Sequence, residues 1–191
     1  MIENSVNNFE SRPKEGGTDP VSIGNYLDAE RIEIGITVSS KKRLLEEITA
    51  LLIKGREDLD RKTIIRLLNE RERLGSTAIG AGIALPHGRV NGLNFVIGGL
   101  LILNHPLQFD APDGVPVDLV VGLLVPAEAT REHVEILGQL TRVLNRPTVR
   151  EQLLQAEDGK EVLSILNIDI KTLKLLNKII RNSDYLQNLI T

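Results

Sequence analysis

From Arg31 to Ser39 the chain reads RIEIGITVS, in which Ile32, Ile34, Ile36 and Val38 alternate with Glu33, Gly35 and Thr37. Successive strand side chains point to opposite faces, so this period of two predicts a strand buried on one side. The period then lengthens. Leu44, Leu45, Ile48, Leu51 and Leu52 recur at helical spacing up to Gly55, behind Ser39 and Ser40, either of which can cap a helix. Ile64, Ile65, Leu67 and Leu68 predict a second helix through RKTIIRLLNERER, stopping near Leu74 and Gly75. Two apolar segments, Asn94 to Leu103 and Val117 to Val125, predict central strands, and the NHPLQFDAPDGVP between them carries turn residues. EATREHVEILGQLTRVL returns to the helical period with Thr130 as its expected N-cap. RPTVREQLLQA and DGKEVLSIL predict two shorter helices, the latter with Asp158 and Glu161 spaced as a capping box. The sum is a single α/β (α+β) domain in which helices cover a mixed sheet.

The two ends read differently. Residues 1–20, MIENSVNNFESRPKEGGTDP, are polar with no apolar export region, which predicts a flexible leader. Residues 167–191 predict a basic amphipathic helical extension, with Lys171, Lys174, Lys178 and Arg181 on one face and Leu173, Leu176 and Ile180 on another. Such a helix packs on its own domain, on a second subunit, or against a membrane surface or partner. Composition narrows the function. With 191 residues and 41% apolar content the chain can bury a core, while a net charge of −3 and only three Phe and two Tyr give no footprint for nucleic acid. The longest apolar run, FVIGGLLIL, is far shorter than the roughly 20 residues of a membrane span, so no integral membrane segment is expected. Cysteine is absent, which removes disulfides, thiolate catalysis and Cys-based metal sites and fits a cytoplasmic protein.

The candidate chemistry lies in GSTAIGAGIALPHGRV, Gly75 to Val90. A phosphate-binding P-loop would need Lys and Ser or Thr after Gly80, where Ala81 and Gly82 stand. A dinucleotide fingerprint would need a third glycine where Leu85 stands, and Pro86 interrupts the helix that should follow. His87, His105 and His133 lack metal-ligand spacing, so no metal and no cofactor are expected, and Ser76 sits in LGSTA, which is no hydrolase elbow. What remains is His87 on an irregular, glycine-lined turn whose backbone N–H groups can approach an anion. Ser76 and Thr77 add hydroxyl donors, and Arg71 and Arg89 add guanidinium forks suited to phosphate, although Arg71 could instead pair with Glu70 or Glu72. His133 aligns with Leu137, Leu140 and Leu144 on the inward stripe of its helix, near the N-terminus. On that stripe a histidine is either a hydrogen-bonded core residue or part of the site. His105 reads as a surface residue.

RERLGSTAIGAGIALPHGRV resembles the phosphorylation-site signature of the fructose/mannitol class of enzyme IIA domains of the bacterial phosphotransferase system, and is most similar to its nitrogen-regulatory branch. SSKKRLLEEITALLI, FDAPDGVPVDLVVGLLVP and REHVEILGQLTRVL match the same family in order, so the resemblance covers residues 21–166, the expected domain. It implies a three-layer sandwich with a mixed sheet between helices. It also implies that His87 accepts a phosphoryl group, as tele-phosphohistidine, from a histidine-phosphorylated carrier protein, with Arg71 and His133 at the same site. Regulation of targets such as potassium-transport or sensor-kinase components is the expected role. The absence of a fused IIB or membrane IIC segment and the form GSTAIGAGIALPHGR favour it over delivery to a sugar-specific IIB component for fructose/mannitol-type uptake. Either role makes the protein a phosphotransferase component. An apolar rim including Ile83 and Leu85 is expected to meet its partners.

Overall fold

The computed structural model describes residues 26–167, so the expected leader and basic extension lie outside the described residues. Within them run β1 (Leu27–Ile36), α1 (Lys41–Leu52), α2 (Arg61–Arg73), β2 (Ala78–Gly80), β3 (Ile83–Ala84) and β4 (His87–Val90). They are followed by β5 (Ile97–Leu107), β6 (Val117–Pro126), α3 (Thr130–Leu144) and α4 (Pro147–Gln155). A fifth helix, α5, covers 159–167. The six strands form one mixed sheet in the order β1, β5, β6, β3, β2, with β4 also pairing β6. β5 and β6 are antiparallel and central, and β1 lies parallel to β5.

Two apolar layers hold the sheet. On one face α1 and α2 bury Leu44, Leu45, Ile48, Leu52, Ile64 and Leu68 against Ala84, Leu101, Val120 and Leu124. On the other, α3, α4 and α5 bury Ile136, Leu140, Leu144, Leu153 and Leu166 against Leu85, Leu100, Leu123 and Val125. Alternation along the strands divides them, Ala84 facing one layer and Leu85 the other, as a sheet covered on both sides requires. The result is a three-layer α/β sandwich. Gly122 marks how closely α1 lies on the sheet, because a Cβ there would stand 2.4 Å from an Ile48 side-chain carbon.

Helix starts follow their sequence signals except at α3. Ser40 caps α1 by accepting from the Arg43 N–H at 3.2 Å, and Asp60 caps α2 by accepting from the Thr63 N–H at 2.9 Å. At α5 the Glu161 N–H donates to Asp158 at 2.8 Å, while the Glu161 carboxylate reaches back to the Glu157 N–H. Thr130, expected as an N-cap, is instead the first helical residue. Ala129 holds the cap position with no side-chain bond, so the orphan N–H groups there are left without that partner.

The larger departure concerns the glycine-rich segment. Instead of one irregular turn it forms three short strands, and β3 and β4 are a single lane along β6 interrupted at Leu85 and Pro86. Ile83 lies opposite Leu119 and His87 opposite Leu123, so the same offset holds on both sides of the break. The Pro86 carbonyl accepts from the Leu123 N–H at 2.9 Å and carries the ladder across. His87 is therefore the first residue of a strand, which fixes its direction as a loop would not.

Candidate functional site

Strand parity turns His87 and Arg89 to the α3 layer, since Gly88 between them faces Leu67 and Leu68 of α2 at 3.4 and 3.5 Å from where its Cβ would be. Among the described strands β4 pairs only with β6, so its other edge is open. Arg71, one turn beyond Leu67 on α2, reaches this edge and donates its Nε–H to His87 Nε2 at 2.9 Å. A second donor of the same guanidinium, Nη1, bonds the Gly75 carbonyl at 2.9 Å. On the other side of the imidazole, His133 in the first turn of α3 meets it edge to face, with ring centroids 4.9 Å apart and an interplanar angle of 67°. The His133 N–H itself makes an early bond of that helix, to the Ala129 carbonyl.

The bonds assign the tautomer of His87. Its Nδ1 lies 2.7 Å from the Leu85 carbonyl, which can only accept, and its Nε2 faces an arginine N–H, which can only donate. The proton is therefore on Nδ1 and the lone pair on Nε2. Burial lowers the pKa of His87; the Leu85 carbonyl works against that, and Arg71 and Arg89 reinforce it. The ring is neutral near pH 7. His133 is neutral as well, its pKa pushed down to about 4 by burial first and then by repulsion from His87 when that ring is protonated, from Arg89 and from Arg71. Among the described residues neither His133 nitrogen has a hydrogen-bond partner, although both histidines are only 7% exposed.

The remaining expected site residues divide. Arg89 is exposed on the same strand face as His87, at the rim. The hydroxyls of Ser76 and Thr77 are bonded elsewhere in this structure. The Ser76 hydroxyl donates to the Phe109 carbonyl at 2.8 Å, and the buried Thr77 hydroxyl donates to the Glu72 carboxylate. The expected apolar rim is likewise corrected, because Ile83 and Leu85 are 0% and 3% exposed core residues. The exposed apolar side chains on the elements that build the site are Leu74 at 86% and Val134 at 65%. His105 is exposed, as read from sequence.

The glycines also serve packing more than an anion cradle. A Cβ on Gly82 would stand 2.5 Å from Arg150 Nη2 and 3.0 Å from Asp118 Oδ1, the two ends of an ion pair between α4 and β6. The adjacent Ala81 N–H is taken by Asp113 at 2.7 Å. Sequence reading missed Glu72, a carboxylate buried beside Arg71 that joins Lys41 to the Thr77 backbone. Its partners lie on another helix and five residues along a turn, which no local motif announces. No group of three or more His, Asp or Glu side chains that could hold a metal occurs among the described residues, and no helix there is long and apolar enough to cross a membrane.

A neutral imidazole with its lone pair facing an arginine thus sits on a mixed sheet between two helical layers. Residues 25–169 match the family model described as "Phosphoenolpyruvate-dependent sugar phosphotransferase system, EIIA 2", and the chain belongs to that family, whose members carry phosphoryl groups. Within it the chain is similar to proteins of the nitrogen-regulatory branch. A "Nitrogen regulatory protein" of Pseudomonas aeruginosa is 40% identical over 151 residues, covering 79% of this chain and 97% of that protein. The crystal structure of nitrogen regulatory protein IIA-Ntr from Neisseria meningitidis matches with a TM-score of 0.71 and 41% identity, over 75% of this chain and 98% of that one. IIA mannitol from Escherichia coli matches at 0.61 and 26% identity, over 73% of this chain and 98% of that one.

Proposed function

We propose that this phosphotransferase-system protein is a phosphohistidine carrier, that His87 Nε2 is its acceptor atom, and that its phosphorylation state governs which target proteins it binds. The observation that carries the reading is the pair of bonds on His87. With the Nδ1 proton held by Leu85, the ring's available lone pair is on Nε2, so the imidazole is a neutral nucleophile at cytosolic pH.

A histidine-phosphorylated carrier protein is the donor. As it docks, Arg71 leaves Nε2 for the equatorial phosphoryl oxygens. The Nε2 lone pair forms the new N–P bond while the bond from phosphorus to the donor's ring nitrogen breaks, its electron pair returning to that nitrogen. Charge on the His87 ring is then shared through Nδ1–H with the Leu85 carbonyl. Such transfer rests mainly on in-line positioning and on stabilising the equatorial oxygens, a role for Arg71 and for an N–H of His133, with Arg89 adding positive charge at the rim. The new dianion, of about −1.5 to −2 charge, changes the surface that targets such as potassium-transport or sensor-kinase components meet. Regulation is favoured over sugar delivery by the 41% identity to a nitrogen regulatory protein against 26% to IIA mannitol.

The test is to incubate the protein with phosphoenolpyruvate, enzyme I and the carrier protein, then measure intact mass and acid lability. One acid-labile phosphoryl group is expected on the wild type and none on His87→Ala. A wild type that no competent donor labels, or a His87→Ala variant labelled as fully, overturns the reading.

A further inference from the structure

Both bonds that orient His87 trace back to one turn, and that turn is closed by a carboxylate. Glu72 Oε2 accepts the Thr77 N–H at 2.9 Å and also the Thr77 hydroxyl. The Thr77 carbonyl in turn accepts the Leu85 N–H at 2.9 Å, and the Leu85 carbonyl accepts the His87 Nδ1 proton. A continuous line of peptide hydrogen bonds thus runs from Glu72 to the ring. The same turn also anchors the guanidinium: the Gly75 N–H bonds the Glu72 carbonyl at 3.2 Å, and Arg71 bonds the Gly75 carbonyl. The Glu72 carboxylate is therefore upstream of what happens at Nδ1, while its main-chain carbonyl closes the turn that holds Arg71.

The other carboxylate oxygen meets Lys41 Nζ at 2.6 Å, and both ends are shielded, with side chains 7% and 27% exposed. Burial opposes the Lys41 charge, but its bonds to Glu72 and Asp110 outweigh that and raise its pKa. Lys41 has other holds, on Asp110 at 3.0 Å and over the Phe109 ring at 4.4 Å. Losing its Glu72 contact would leave it anchored.

We propose that Glu72, neutralised by Lys41, is a positioning residue for phosphoryl transfer, setting the His87 tautomer through the Thr77 and Leu85 peptides. It touches neither the ring nor the phosphoryl group. This deepens the phosphohistidine reading and rests on it for its kinetic consequence only, since the tautomer belongs to the unphosphorylated protein. The groups acting on His87 besides Glu72 are Arg71, Arg89 and His133, which the variants below leave intact.

Reach, not charge, is what the line of bonds needs. Glu72→Gln keeps an oxygen at the Thr77 N–H without the charge; Glu72→Asp keeps the charge but withdraws it by one methylene; Glu72→Met removes both. Imidazole 15N spectra of the unphosphorylated full-length chain, labelled at histidine, report the tautomer without any donor protein. The wild type and Glu72→Gln are expected to give a single tautomer, protonated at Nδ1, while Glu72→Asp and Glu72→Met give an averaged ring. Rates of phosphoryl acceptance are expected to fall roughly 10- to 100-fold in the latter two and less than about threefold in Glu72→Gln, the scale of a misplaced reacting group. A single wild-type tautomer in Glu72→Asp and Glu72→Met, or loss in Glu72→Gln with retention in Glu72→Asp, overturns the proposal even if stability falls. If Glu72→Met does not fold, the Asp and Gln pair decides alone. A wild type that takes up no phosphoryl group overturns the carrier reading but leaves the tautomer comparison standing.

Discussion

On the α2 side of His87 the polar groups are bonded to one another. Arg71 bonds the ring and Gly75, and Glu72 bonds Thr77 and forms an ion pair with Lys41. On the α3 side the His133 ring is as buried as His87, yet neither of its nitrogens has a partner among the described residues. A buried polar group left unsatisfied costs about 1–3 kcal/mol, so the second side holds unused hydrogen-bonding capacity at the expense of stability. The difference suits a carrier. In the proposed carrier role one side would set His87 beforehand, while the other would receive the oxygens that arrive with the phosphoryl group.

The comparison breaks most sharply at Arg71. Arg71→Ala is expected to slow phosphoryl acceptance by roughly 100- to 1000-fold, the scale of losing a preorganised donor at developing charge, in a rapid-quench assay with labelled carrier. Arg71→Lys should recover only part of this, because an ammonium cannot span Nε2 and Gly75 as the fork does. A loss below threefold in Arg71→Ala would mean that the α2 side orients the ring and nothing more.

His133→Leu tests the opposite side with effects of opposite sign. Acceptance should slow about tenfold as one charge-assisted bond to the phosphoryl group is lost. The fold should gain about 1 kcal/mol, read as a higher urea midpoint at unchanged slope, because an unsatisfied ring is replaced by an apolar one. A destabilised His133→Leu would mean that the ring is satisfied after all.

The smallest effect is on stability against pH. The folded His133 titrates at about 4 and the unfolded one at 6.5, so between these values the unfolded chain binds more protons. The folded His87 is shifted in the same direction. Their contribution is complete above pH 6.5 and falls as pH drops towards 4, by on the order of 1 kcal/mol from His133 after solvent screening. Urea titrations across that window should reveal it in the wild type and a reduced slope in His133→Leu.

The helical stripes, the strand β1 and the apolar runs of β5 and β6 were legible from periodicity, because each buries many side chains in one register. β1 is shifted to Leu27–Ile36, since strand ends depend on the partner strand. β2, β3 and β4 were illegible: they span three, two and four residues, too short for a period to register. The inward placement of His133 followed from its stripe. The bond from Arg71 to His87 did not, because it needs α2 packed over Gly88. The partners of Ser76 and Thr77 were illegible for a related reason: hydroxyls next to a glycine turn have nearer acceptors in the carbonyl of Phe109 and the carboxylate of Glu72.

The uninterrupted register of β3 and β4 on β6 makes this segment sensitive to length in a way that it is not to composition. β6 acts as a phase reference for the acceptor. Deleting one residue from 84–86 advances every later side chain by half a pleat, so His87 would enter the layer of α1 and α2 while its neighbours still found ladder partners. Such a frame-preserving loss of a single codon would put the imidazole on the wrong side of the sheet and Arg89 in the slot where Gly88 packs on Leu67 and Leu68, a failure that most single replacements in the same stretch cannot produce.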